Sequence, residues 1–121
     1  MAKRARDPRR LELLQGTLDL LVLQTLRWGP QHGYGIAVAI QAGSGDVLRV
    51  DTGSLYPALH RLEQQGWIKA KWDEGETGRT VKFYSLTRAG QTQLEKEVAN
   101  WSRLSTAVSQ VVLASRVPEE A

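Results

Sequence analysis

Asp51-Thr52-Gly53-Ser54-Leu55-Tyr56-Pro57-Ala58-Leu59-His60-Arg61-Leu62-Glu63-Gln64-Gln65-Gly66 is the stretch whose reading decides the fold. Asp51, Thr52 and Ser54 at its start can each accept from free backbone N–H groups, and Gly66 at its end tolerates a left-handed backbone. Leu55, Leu59 and Leu62 stand at i, i+4 and i+7, the apolar stripe of a helix. At about 100° per residue, the opposite side carries Pro57, His60, Arg61 and Gln64, with Ser54 and Tyr56 at its margins. Pro57 is expected in or near the first turn, where a missing N–H costs least. That side is small, polar and mildly basic, a chemistry suited to phosphates and base edges.

Working outward, Trp67-Ile68-Lys69-Ala70-Lys71-Trp72 alternates, with Ile68, Ala70 and Trp72 on one side and Lys69 and Lys71 on the other. Asp73-Glu74-Gly75-Glu76-Thr77-Gly78 reads as a loop, and Arg79 to Leu86 as a returning strand with Val81 and Phe83 opposite Lys82 and Tyr84. A helix followed by a basic hairpin has the layout of a winged helix-turn-helix. The alternative is a plain α+β domain whose helix merely packs on a ribbon.

Upstream, Thr17 is expected to cap a strongly apolar helix running through Trp28, with Leu18, Leu21, Val22 and Leu26 buried. Gly29 to Gly33 breaks it, and Tyr34 to Gln41 reads as a second helix with Ile36, Ala37 and Ile40 inward. Val47 to Val50 could add a third strand beside the hairpin. Downstream, Thr87 opens a last helix from Arg88 to about Ser115, ahead of Pro118. On it Leu94, Val98, Trp101, Ser105, Val108, Val112 and Ser115 follow heptad spacing, a seam widened by Leu104 and Val111. Such a seam needs a cover. A second copy of the helix in a homodimer is favoured, and folding back on the first helix is the alternative; both can hold.

The fold class expected is thus α+β, mainly α: a winged helix-turn-helix over 11–86, a long C-terminal dimerisation helix over 87–117, a basic arm over 1–10 and a tail over 118–121. The 121 residues, 41% hydrophobic, suffice for one modest core, and a net charge of +3 permits an anionic partner without demanding one. Lys3, Arg4, Arg6, Arg9 and Arg10 crowd the N-terminus. Such a run is usually a solvated tail that can also touch phosphates. Without cysteine there are no disulfides, thiolate catalysis or cysteine-based zinc sites. No signal peptide is visible, and the apolar stretch Leu18 to Leu26 is too short to span a bilayer, so a cytoplasmic protein is the default. The two histidines, His32 and His60, belong to different elements and no catalytic motif is present. The chain reads as no enzyme, with no cofactor and no metal, and His32 reads as a turn residue or phosphate contact.

Several blocks together resemble the PadR family of transcriptional regulators: Gly16-Thr17-Leu18-Asp19-Leu20-Leu21-Val22-Leu23, Gly29-Pro30, His32-Gly33-Tyr34, Gly53 to Glu63, Gly78-Arg79 and Phe83-Tyr84-Ser85-Leu86-Thr87. The resemblance covers about Leu14 to Trp101. It implies a homodimeric winged-helix repressor, paired through one C-terminal helix per subunit, on an inverted-repeat operator in double-stranded DNA. In some relatives a tryptophan in a context like Asn100-Trp101-Ser102-Arg103 lines a ligand pocket at the dimer interface. Trp101 is the residue this marks for a small aromatic or cationic effector. The sequence departs from relatives at the wing: Arg79 is followed by Thr80 and Val81, and Asp73, Glu74 and Glu76 make the tip acidic.

The expected roles follow. Pro57, His60, Arg61 and Gln64 face base edges; Ser54, Tyr56 and Tyr34 hold phosphates; Lys69, Lys71, Arg79 and Lys82 supply charge along the hairpin. The blander readings are that Tyr56 covers the core edge, Arg61 pairs with an acidic neighbour, and Lys69 and Lys71 form a solvated strand face. The dimer interface is expected at Leu94, Val98, Trp101, Leu104, Val108, Val111 and Val112. The competing function is a winged-helix protein-interaction module that binds no DNA.

Overall fold

The computed structural model describes residues 11–12, 15–74 and 78–115. The basic arm, Leu13-Leu14, the wing tip at 75–77 and all that follows Ser115 lie outside the described residues. Helices α1 (Gln15–Leu26), α2 (Gly33–Gly43), α3 (Thr52–Gln64) and α4 (Arg88–Val112) alternate with strands β1 (Leu11–Glu12), β2 (Gln31–His32), β3 (Leu48–Arg49), β4 (Ile68–Glu74) and β5 (Thr80–Leu86). None of the helices described is long and apolar enough to cross a membrane.

Helix α1 is the centre of the core. Leu18, Leu20, Val22, Leu23 and Leu26 are all buried, because α2, α3 and α4 each lie against this one helix. Ile36 and Ile40 of α2, Leu55, Ala58, Leu59 and Leu62 of α3, Ile68 and Tyr84 of the sheet, and Leu94 of α4 complete the cluster. The buried hydroxyl of Thr25 donates to the carbonyl of Leu21 at 2.9 Å, so that side chain is satisfied within the helix. The helix begins two residues before the expected cap, which places Thr17 in its first turn. Gln15 and Gly16 ahead of it are exposed, where water can serve the free N–H groups. It also ends at Leu26, short of Trp28, and the chain turns through Gly29 at φ 138°.

Side chains that accept from the first turn start the other helices. The ring nitrogen Nδ1 of His32 accepts from the N–H of Gly35 at 3.0 Å, Asp51 Oδ1 from Ser54 at 3.0 Å, and Thr87 Oγ1 from Gly90 at 3.0 Å. His32, read from the sequence as a turn residue or phosphate contact, instead ends strand β2 and caps α2. Pro57 is the sixth residue of α3, in the second turn rather than the first, where it offers no N–H to the carbonyl of Gly53.

Antiparallel β4 and β5 pair from Ile68↔Leu86 to Glu74↔Thr80, so the wing strand runs two residues further than its apolar alternation suggests. The third strand of this sheet is β2, pairing Gln31↔Tyr84 and His32↔Phe83. The expectation that Val47 to Val50 would take that place is incorrect: β3 pairs in parallel with β1, Leu11↔Leu48 and Glu12↔Arg49.

Helix α4 is clasped to the end of α3. Gly66, at φ 77°, turns the chain into β4, and its carbonyl accepts from Thr87 Oγ1 at 2.6 Å while the Trp67 carbonyl accepts from Thr87 N at 3.0 Å. Gly90 then lies directly on that turn. Helix α4 ends at Val112, so Ser115 falls outside it. Its last turn holds exposed β-branched Val111 and Val112, which support a helix weakly when nothing packs on them.

Candidate nucleic-acid interface

The leucine stripe of α3 faces inward with Leu55, Ala58, Leu59 and Leu62 no more than 1% exposed. Its other side is open: Ser54, Tyr56, Pro57, His60 and Gln64 are all exposed. Tyr56 leans across the start of α2, where a Cβ on Gly33 would fall 2.8 Å from its hydroxyl oxygen. It both covers the edge of the core and keeps about half its surface in solvent. Tyr34, exposed in the first turn of α2, stacks alongside the ring of His32 at 6.5 Å. Two tyrosines thus stand around the N-terminal turn of α2, beside the open face of α3.

Arg61 is placed differently from its helical neighbours. Its guanidinium donates to Asp19 of α1 at 2.9 Å, with the side chains 35% and 18% exposed, and its Nε is buried. This is the acidic neighbour that sequence reasoning weighed without locating. Lys82 is half-buried, 3.9 Å from Glu63 of α3 and over the rings of Trp72 and Tyr84 at 5.9 and 5.4 Å. That ion pair is long and more than a third exposed on each side, a class worth about 0–1 kcal/mol. Asp19, Glu63 and Trp72 therefore shape the site although none was singled out as functional. An acid in the middle of a leucine-rich helix was the available signal for Asp19, since burying one demands a partner.

Lys69, Lys71 and Arg79 are exposed along the hairpin, as are Asp73 and Glu74 towards its tip. Pairing puts Trp72 on the same face as Lys82 and Tyr84, and Lys69 and Lys71 on the face of Ser85 and Phe83. His32 meets the edge of Phe83 at 5.6 Å and so covers part of that second face.

The expected seam of α4 divides in two. Leu94 is a correction: at 2% exposure it is buried in this chain's own core, and so it cannot offer itself to a second copy. From Val98 onward the apolar residues are open, with Trp101 at 48%, Leu104 at 57% and Val108 at 50% exposure, and Val111 and Val112 more so. Trp101, Leu104, Glu97 and Asn100 of α4 face Thr17 and Leu20 of α1 around a cavity of about 360 Å³.

Two carboxyls near that cavity are perturbed. Burial pushes Asp19 up, opposed by the hydrogen bond and charge of Arg61. Burial also pushes Glu97 up, opposed by its hydrogen bond with Gln93 and reinforced by the charge of Asp19. A carboxyl raised in the folded state costs stability once ionised. That cost is complete above the raised value and absent below the ordinary carboxylate range. Glu97→Gln is therefore expected to melt above the wild type at neutral pH, with the gap closing as the pH falls through that window. Thermal melts across the acid range check this, and a gap independent of pH refutes it.

Comparison with known proteins agrees with this geometry. Residues 22–96 match the transcriptional regulator PadR-like family. A PadR family transcriptional regulator from Eggerthella lenta DSM 2243 superposes with a TM-score of 0.70 at 33% identity, over 84% of this chain and 86% of that one. A PadR-like transcriptional regulator from Bacillus cereus strain ATCC 14579 gives a TM-score of 0.72 at 25% identity, over 84% and 96%. An uncharacterised 37.1 kDa protein in transposon TN4556 of Streptomyces fradiae is 40% identical over 102 residues, which are 84% of this chain but only 27% of that longer protein. With the winged helix-turn-helix, the exposed polar face of α3 and the family match in agreement, this chain belongs to the PadR-like family of transcriptional regulators.

Proposed function

We propose that the chain is a sequence-specific DNA-binding repressor that acts as a homodimer on an inverted-repeat operator. The observation that carries this reading is the open polar side of α3, where Pro57, His60 and Gln64 are exposed on a helix whose leucines pin its other side inward. In the major groove these side chains meet base edges, His60 and Gln64 by hydrogen bonding and Pro57 by apolar contact. Ser54, Tyr56 and Tyr34 present hydroxyls to backbone phosphates, and Lys69, Lys71 and Arg79 add charge along the hairpin. Exposed Asp73 and Glu74 repel phosphate, so the hairpin meets the DNA backbone through Lys69, Lys71 and Arg79 rather than through its acidic end. Two copies paired through the open stretch of α4 set their α3 helices about 34 Å apart, one turn of duplex.

The cavity beside Trp101 is the site for an effector. Its indole offers a stacking face and Glu97 a negative charge, a combination suited to a planar aromatic cation. Such a ligand relieves repression only by preferring the arrangement that does not bind DNA.

Selection from a pool of randomised duplexes, followed by gel shifts over a salt series, tests the DNA reading. Recovery of a two-fold symmetric sequence is expected. With roughly six to ten phosphate contacts per dimer, log affinity should fall against log salt with a slope of about −5 to −9. A flat plot, or no enriched sequence, refutes it in favour of a protein-interaction module.

A further inference from the structure

We infer that Arg61 is a positioning residue: through Asp19 it fixes the rotation of α3 about its own axis, and so decides which side chains of that helix reach the bases, without itself touching DNA. The inference rests on the reading that α3 enters the groove.

The leucine stripe alone does not set that rotation. Apolar burial is non-directional, so Leu55, Leu59 and Leu62 tolerate a roll of the helix that a hydrogen-bonded ion pair does not. With a radius of about 5 Å, a roll of roughly 20° moves an outer side chain by about 2 Å, which is enough to break a base-edge hydrogen bond.

Among the described residues, two ion pairs of α3 resist it, one to the wing and one to α1. The pair to the wing, Glu63–Lys82, is 3.9 Å long, beyond hydrogen-bond reach, with both side chains more than a third exposed, so it yields easily. The pair to α1, Arg61–Asp19, is 2.9 Å long with the Asp19 side chain only 18% exposed. The Nε of Arg61 is buried although 35% of the side chain stays exposed, so the root of the guanidinium is enclosed by the fold while its head is held on Asp19. Turning the head outward to a phosphate would leave the Asp19 carboxylate half-buried and unpaired. Asp19 belongs to α1, the helix on which α4 rests, so this one contact references the reading head to the base of the molecule.

Asp19→Asn separates the two roles, because they predict opposite signs. The probes are the duplex recovered by wild-type selection and an unrelated duplex of equal length, titrated over a salt series. A positioning role predicts that Asp19→Asn weakens binding to the selected duplex about tenfold or more, the loss of one or two base contacts. Binding to the unrelated duplex and the salt slope stay as in the wild type. The exchange Asp19→Arg with Arg61→Asp restores most of the specific affinity. A direct contact predicts the reverse: Asp19→Asn binds as well or better, having lost a negative charge. On that reading Arg61→Met lowers the salt slope by about one, and the exchanged pair binds worst. Either of the first two results overturns the inference. Should Asp19→Asn melt too low for titration, Arg61→Lys keeps the charge but not the planar fork, and is expected to lose specific affinity at an unchanged slope. A slope reduced by about one, or undiminished specific affinity, sinks the inference. A wild-type chain that enriches no duplex overturns the DNA reading and this inference with it. An enriched duplex that Asp19→Asn binds undiminished overturns this inference alone.

Discussion

Gly90→Ala is expected to lower the melting temperature by roughly 10 °C, the consequence of about 3 kcal/mol of overpacking. A Cβ at this position would stand 1.9 Å from the carbonyl oxygen of Trp67 and 2.8 Å from its carbon. Both are backbone atoms, held by the bond from Thr87 N to that same oxygen and by the adjacent bond from Thr87 Oγ1 to Gly66. A flexible side chain could swing aside, but this turn can move only by loosening the junction of α3, β4 and α4. Gly43→Ala is the control. An added methyl there meets nothing within 4 Å, so the variant should melt at or slightly above the wild type, by at most about 1 kcal/mol. Melts of equal height for the two variants would show that the close approach at Gly90 is unimportant.

The second large effect is expected from Leu104→Asp combined with Val108→Asp. Both residues are at least half exposed in the single chain, so the protomer loses little core and keeps its melting behaviour at low concentration. In a two-fold pairing each substitution appears twice. Four apolar side chains at about 1.5 kcal/mol each amount to about 6 kcal/mol, or more than 10⁴-fold in the dimer dissociation constant. Sedimentation should find a monomer where the wild type is a dimer, and specific DNA binding should collapse to that of one half-site. A variant that still sediments as a dimer removes α4 beyond Val98 as the interface.

What the sequence disclosed depended on whether a signal was local. Helix α3 was legible because Asp51, the three leucines and Gly66 all lie within one short window and agree. The two strands of the hairpin were legible from their alternation, but not their full length: β4 runs on to Glu74, past the Trp72 where the alternation stops. The two-residue strands were not legible, since β2 has no period to detect and β1 and β3 recruit each other across an intervening pair of helices. The division of the α4 seam was hidden for a related reason. Leu94 and Val98 are equivalent in spacing, and only the packing of α1 decides that one is interior and the other exposed. Arg61 sits on the polar side by helical angle, yet its partner Asp19 is 42 residues earlier. Within the open face itself, the exposure of Ser54, Pro57, His60 and Gln64 could be read from helical angle, whereas Tyr56 also leans on Gly33 of α2.

The clasp formed by Thr87 on Gly66 and Trp67 makes α4 a lever with no slack at its fulcrum. Its 25 residues reach about 37 Å from that joint to the far end. When two such levers cross midway along their open stretch, about 25 Å from the joint, tilting the crossing by about 5° swings the joint through roughly 2 Å. No limp linker absorbs the swing before it arrives at the C-terminal end of α3. In the proposed dimer, small adjustments where the twin levers meet are therefore geared directly into the span between two reading heads, and on the proposed operator that span has to match the pitch of the double helix.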